Sequence, residues 1–201
     1  MRLFFSEGCP YAQRTRALID HLGQPCELEA LDLAHKPAHF LALSPTAAVP
    51  LLLDEGLVLY ESAIINEYLA ERLGWRDAWS ADVRQRAVER LAMKRFDEFL
   101  APLFFQALKD PSLPDARPAW RKEVGLLRTA AAGRPGASLL GFHLAPHVLR
   151  MRWLQPDSQV LRALEDEAGD FLSAALTLPA VVRTSPDRDE TVRQLRARFG
   201  P

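Results

Sequence analysis

Positions 2–5, Arg-Leu-Phe-Phe, form a short apolar run that Ser6-Glu7-Gly8 cuts off, the pattern of a strand entering a turn. Pro10 opens a helical stretch over 10–22. Proline suits the first helical position because its missing N–H would have found no partner there, so Cys9 becomes the N-cap and Gly23 the residue that ends the helix. A second strand is predicted over 26–33, with Cys26, Leu28 and Ala30 on one face and Glu27 and Glu29 on the other. A short helix over 37–43 is closed by Ser44-Pro45, and the apolar run 49–53 reads as a buried strand. Asp54-Glu55-Gly56 then turns it tightly into Leu57-Val58-Leu59 to complete a hairpin. Ile64, Ile65, Tyr68, Leu69 and Leu73 recur at steps of three and four in a helix that starts at Ser62 and stops at Gly74. The order is β-α-β-α-β-β-α.

Beyond position 81 every long segment has helical period and none alternates like a strand. Val88, Leu91, Ala92, Phe99, Leu100 and Leu103 mark a long helix that Pro102 bends near its end. A proline-rich loop follows over 110–118, then a helix over 119–132 that Gly133-Arg134-Pro135-Gly136 breaks. The segment 139–154 reads as buried, and Leu161, Leu164, Ala168, Leu172 and Ala175 repeat at helical spacing. A basic amphipathic helix over 187–199 comes last. The architecture expected is therefore an α/β domain over 1–75 followed by an all-helical domain over 81–201.

Composition changes this picture little. With 48% hydrophobic and 25% charged residues the chain can build a core, and the expectation is a soluble, cytoplasmic protein. Two cysteines, Cys9 and Cys26, exclude a disulfide scaffold and fit a reducing compartment. The apolar run 49–53 falls far short of the roughly 20 residues of a membrane helix, and Glu7 follows the first apolar residues too soon for a secretory signal. A net charge of −1 argues against a nucleic-acid binder held by phosphate contacts. The charge is unevenly spread: five Lys/Arg against ten Asp/Glu through Gly74, then twenty against sixteen, as two separately built units would give.

The candidate chemistry begins at Cys9. A thiol at a helix N-terminus faces unpaired backbone N–H groups and the positive end of the macrodipole, which favour thiolate over thiol. Arg14 and Arg16 on the same helix add positive potential. The motif is Cys9-Pro10-Tyr11-Ala12, with alanine where a dithiol redox protein carries its second cysteine. A single activated thiol that attacks a disulfide needs an external thiol to release it. Cys26 reads as a small buried hydrophobe. No Cys/His spacing suggests a metal site.

These residues resemble the cytosolic glutathione S-transferase family of the cysteine, omega-like type, whose first domain is thioredoxin-like and close to glutaredoxins. The resemblance is carried by Cys9-Pro10-Tyr11-Ala12-Gln13-Arg14-Thr15-Arg16, by Ser44-Pro45-Thr46-Ala47-Ala48-Val49-Pro50-Leu51-Leu52 and by Leu59-Tyr60-Glu61-Ser62-Ala63-Ile64-Ile65, in that order. It implies a mixed four-stranded sheet with helices, followed by a helical bundle that supplies the co-substrate pocket. It also implies glutathione as co-substrate, Cys9 as the catalytic residue, and a cis Pro50 that leaves the Val49 backbone free to pair with the cysteinyl part of glutathione. By the same resemblance Ser62 and the first N–H groups of its helix hold the γ-glutamyl carboxylate, Glu61 receives the ammonium, Lys36 pairs with the glycyl carboxylate, and Tyr11 lines the groove. His35 and His39 lie nearby on the chain. One departure stands out: where the family opens its core helix with a Ser/Thr-x-x-Asp box, this chain reads Gly141-Phe142-His143-Leu144-Ala145-Pro146, which predicts a helix started differently, with Pro146 in its first turn.

Two functions follow. One is a glutathione-dependent thiol transferase or reductase working through a Cys9–glutathione mixed disulfide, with an unidentified small electrophile or mixed disulfide as second substrate. The other is a non-catalytic regulatory protein of the stringent starvation protein A type, which would not need a Cys-Pro helix start or an intact Glu-Ser site. The basic residues Arg183, Arg188, Arg193, Arg196 and Arg198 would then be a docking face. The resemblance implies a homodimer, with neither nucleic acid nor membrane as partner. Trp120 and Trp153 at helical spacing read as core.

Overall fold

A computed structural model describes residues 1–199. Strand β1 (Arg2–Phe5) lies second in a four-stranded sheet of order β2-β1-β3-β4. It runs parallel to β2 (Glu27–Ala30) and antiparallel to β3 (Leu51–Asp54), which forms a hairpin with β4 (Leu57–Tyr60). Helix α1 (Pro10–His21) joins β1 to β2, α2 (Ala38–Leu43) joins β2 to β3, and α3 (Ser62–Arg72) follows β4. The pleat sorts the apolar residues. Leu3 and Leu52 face the core shared with α1, α3 and the helical half, whereas Phe4 and Leu51 pack beneath Phe40 of α2 on the other side.

The second strand is shorter than the sequence predicts. Cys26 precedes it, half-buried, with its thiol donating to the Glu27 carbonyl at 3.6 Å rather than lying in the core. β2 is an edge strand, so Leu28 remains 49% exposed although it alternates correctly. The third strand starts at Leu51, two residues later than expected, and the Val49–Pro50 peptide bond before it is cis.

The rest of the chain is helical as far as it is described. Helix α4 (Val83–Arg95) passes through a π-helical turn, Phe96–Leu100, into α5 (Ala101–Ala107), where Pro102 sits in the first turn. The interruption expected at Pro102 is therefore the wider turn just before it, which absorbs one extra residue. Then come α6 (Leu113–Ala116), α7 (Trp120–Ala131), α8 (Leu139–Leu154), α9 (Gln159–Leu176), α10 (Pro179–Arg183) and α11 (Arg188–Phe199). Trp120 is buried and donates its indole N–H to the Pro114 carbonyl at 2.9 Å, while Trp153 is half-buried.

Helix α8 corrects one expectation. It starts at Ser138, whose hydroxyl accepts from the Gly141 N–H at 3.3 Å, and Pro146 lies inside it rather than in its first turn. The cap is thus a Ser-x-x-Gly box. A β-carbon at position 141 would fall 1.9 Å from the Gly136 carbonyl oxygen, so the backbone that folds against this helix start excludes the aspartate of the family pattern. His143 is no capping residue. It sits one turn in, fully buried, with its ring against α4 and the π-helical turn.

Candidate active site

Cys9 is the N-cap of α1, with φ −76° and ψ 115°, and Pro10 occupies the first helical position. The turn before it is held by the Cys9 N–H donating to the Ser6 carbonyl at 3.1 Å. Its thiol donates to the Val49 carbonyl at 3.9 Å, so the helix start and the loop containing the cis proline meet at the sulfur. Burial pushes the Cys9 thiol up, against the pull of the Ala12 and Tyr11 N–H groups and the charges of Arg150 and Arg14. The stabilising groups expected from the helix start are present. They are outweighed by the loss of water around the sulfur.

Residues 59–65 meet α1 through Arg14. Glu61 stands at the N-cap of α3 with φ +68°, a left-handed value uncommon outside glycine, and Ser62 begins the helix with its side chain buried. Glu61 itself is exposed. Arg14 joins this helix start to Tyr11: one Nη donates to Ser62 Oγ at 3.2 Å, and the guanidinium carbon lies 4.7 Å from the centre of the Tyr11 ring. Burial raises the Tyr11 hydroxyl, and the charges of Cys9 and Glu61 push it the same way. Cys9 and Val49 therefore meet at the sulfur, and Arg14 links Tyr11 to Ser62 at the start of α3, beside Glu61. Lys36, in the loop before α2, makes no hydrogen bond or ion pair with any of them among the described residues.

His35 and His39 turn elsewhere, to Asp32 at 2.9 Å and Glu29 at 2.6 Å on the surface. Arg16 also turns away, to Glu7 at 2.7 Å and over the Phe5 ring. No group of three metal-ligating side chains occurs among the described residues.

Around Arg14 lies a buried polar cluster that periodicity alone does not reveal. Arg14, fully buried, forms a bidentate pair with Asp97 (2.7 and 3.2 Å), and its Nε donates to the His143 carbonyl at 2.7 Å. Asp97 reaches it from the π-helical turn. His143 Nε2 lies 3.1 Å from Asp97 and 3.2 Å from the Met93 carbonyl, while His147 Nδ1 lies 3.2 Å from Arg14. These distances assign the proton of both neutral rings to Nε2, since His147 Nδ1 must accept from a guanidinium. Burial would raise the Asp97 carboxyl, but His143 and Arg14, by charge and hydrogen bond, hold it well below the usual carboxylate range. Burial, with Arg14 close by, pulls His143 down to about 4 and His147 well below its ordinary value.

These directions set an acid limit. Unfolding lets both histidines take up protons below about pH 6.5, which the folded protein resists. Their contribution is present above pH 6.5 and is lost as the pH falls toward 4, where protonation of Asp97 in the unfolded chain adds to the loss. Thermal unfolding from pH 7.5 to 4.5 should show a falling midpoint with a break near pH 6.5, and His143→Gln should flatten that slope.

Helix α8 also delivers Arg150, 0% exposed, to the underside of the Cys9 turn. One Nη holds Gln13 Oε1 and the Pro146 carbonyl, the latter at 3.0 Å, and the other reaches the Gly8 carbonyl at 3.5 Å. His143, His147 and Arg150 are spaced four and three apart, which puts them on one face of α8. That spacing is the available signal: three basic side chains on one stripe of a run whose only other charged residue is Arg152, near its end.

Comparison with known proteins bears on the fold and family. A family profile described as Glutathione S-transferase, N-terminal domain, matches residues 3–76. A probable glutathione transferase of Aplysia californica is 41% identical over 83 residues, covering 41% of this chain and 90% of that protein. A stringent starvation protein A homolog of Haemophilus ducreyi is 31% identical over 159 residues, covering 75% and 74%. Glutathione S-transferase omega-1 of Rattus norvegicus is 26% identical over 165 residues, covering 77% and 68%.

Proposed function

The chain belongs to the cytosolic glutathione S-transferase superfamily, and from that premise we propose that it is a glutathione-dependent thiol transferase with Cys9 as its nucleophile. The observation that carries this reading is the Cys9 sulfur itself: a cysteine at a helix N-cap, facing the Val49 carbonyl, with no second cysteine in its turn. In the reaction the Cys9 thiolate attacks the glutathione sulfur of a mixed disulfide. The substrate leaves as a thiolate that takes up a proton, and Cys9 is left bonded to glutathione. A second glutathione thiolate then attacks that disulfide, releasing glutathione disulfide and restoring Cys9. Because burial raises the Cys9 thiol, the reactive fraction at neutral pH is small, but a thiolate of higher basicity is also the stronger nucleophile.

In this reading the Val49 backbone pairs with the cysteinyl part of glutathione, the first N–H groups of α3 with Ser62 hold the γ-glutamyl carboxylate, Glu61 holds the ammonium, and Lys36 reaches the glycyl end. Conjugation to electrophiles is the lesser activity, since Cys9 occupies the place of the hydroxyl that would stabilise a glutathione thiolate. Exposed apolar residues on β4, α3, α4 and the π-helical turn after it, namely Tyr60, Ile64, Leu91 and Phe99, favour a homodimer built on these elements. No described helix is long and apolar enough to cross a membrane.

The subsite assignment is tested by Glu61→Gln, which keeps the shape and removes the charge. Reducing a charge-assisted hydrogen bond with the ammonium group to one accepted by a neutral amide should raise KM for glutathione about tenfold with little change in kcat. An unchanged KM would contradict the placing of the γ-glutamyl end at α3. The Haemophilus relative favours a second reading, a regulatory protein without turnover. That reading predicts no glutathione-dependent reduction of any small mixed disulfide.

A further inference from the structure

Arg150 is a charge that the proposed exchange does not yet use. A buried guanidinium is costly unless an anion faces it. Among the described residues no carboxylate pairs with it, its partners are carbonyl and amide oxygens, and its Nε has none. Those partners are specific. Gly8 immediately precedes Cys9 and Gln13 lies one turn after it. Gln13 is itself fixed by donating to the Val181 carbonyl at 3.3 Å and to Ser185 Oγ at 3.2 Å.

We propose that Arg150 is a positioning residue for Cys9: from α8 its guanidinium holds the Gly8–Cys9 turn, and it is the buried cation that stands opposite the Cys9 thiolate when that anion forms. The inference rests on the reading of Cys9 as the nucleophile. The groups that bear on the sulfur are Arg14, Tyr11 and the Ala12 N–H from α1, the Val49 carbonyl from the loop before β3, and Arg150 from α8. Arg16 of α1 bears on Arg150 in turn. Of the two cations whose charge acts on the sulfur, Arg14 is already paired with Asp97. Arg150 has no such commitment. Burial pulls its guanidinium down to about 10, and the charge of Cys9 is what pushes it back up.

The test is the pH dependence of Cys9 alkylation by iodoacetamide in a Cys26→Ser background, for the parent protein, Arg150→Met and Arg150→Lys. Loss of the cation should move the alkylation midpoint up by about one unit, which is about tenfold slower alkylation at neutral pH. Arg150→Lys, which keeps the charge, should stay close to the parent. A midpoint unchanged in Arg150→Met would leave the residue a merely structural role and overturn the proposal. So would a lysine variant shifted as far as the methionine one. If Arg150→Met does not fold, Gln13→Met carries the test, because it keeps the guanidinium but removes its anchor. A smaller upward shift then supports the proposal and no shift overturns it. The readout needs no turnover, so a protein that shows the shift yet reduces no mixed disulfide refutes the proposed function and leaves this inference standing.

Discussion

Replacing Cys9 with serine should reduce glutathione-dependent reduction of a small mixed disulfide to the uncatalysed background, a loss on the order of a thousandfold or more. A serine hydroxyl at the same N-cap gains the same helix dipole and the same neighbouring cations, yet it stays protonated across the accessible pH range and does not attack sulfur. No second thiol stands in for it. Cys26 precedes β2 at the end of the sheet where β1 begins, whereas Cys9 follows the other end of β1. Four strand residues separate the two ends by about 13 Å, well beyond the roughly 7 Å between α-carbons that a disulfide tolerates. The variant should keep its fold, because Cys9 contributes no side-chain cap bond to α1 and Pro10 still starts the helix. Activity that survives in Cys9→Ser would place the nucleophile elsewhere.

The second large effect is on stability. Asp97→Ala removes the carboxylate that pairs with Arg14 in bidentate fashion and leaves a fully buried guanidinium with one carbonyl, one hydroxyl and one imidazole nitrogen. Breaking a buried pair from one side costs about 3–5 kcal/mol, and the lower end applies here because the Asp97 side chain is 30% exposed. Urea unfolding measures it. Arg14→Met combined with Asp97→Ala should cost less than the two single changes together, since the second removes the charge that the first stranded. Additive losses would mean that the pair contributes little. The same variant should also displace Ser62, because Arg14 donates to its hydroxyl from the same guanidinium. Stability and the start of α3 are thus linked through one side chain.

How much of this was legible in the sequence differs by element. The hairpin, α1 and α3 follow from local signals: Pro10 and Gly23 bound one helix, Gly56 makes the turn, and the apolar steps of α3 need no tertiary partner to be read. The edges of β2 and β3 do not follow. Cys26 and Val49 look like strand residues because they are small or β-branched, but at Cys26 pairing ends where β1 begins, which no local propensity encodes, and at Val49 the ladder is cut by Pro50, which has no N–H to donate. Helix α8 was misread for a related reason. Its start depends on how closely the Gly136 backbone approaches Gly141, a long-range packing fact, so Pro146 looked like a beginning when it is an interior residue. The cleft residues around Cys9 were visible as motifs, whereas Asp97, His143, His147 and Arg150 were not. They come from two separate stretches, and what joins them is the meeting of α1 with α8 and the extra residue of the π-helical turn, neither of which leaves a spacing signature except on α8 itself.

The account turns on one covalent species. The most direct measurement is the intact mass of the protein after exposure to a small glutathionyl mixed disulfide and again after addition of reduced glutathione, with peptide mapping of the modified thiol. The account predicts the mass of one glutathione on Cys9, removed by the second addition, and no adduct at that site in Cys9→Ser. A folded protein that takes up no glutathione, or takes it up on Cys26 alone, would contradict it.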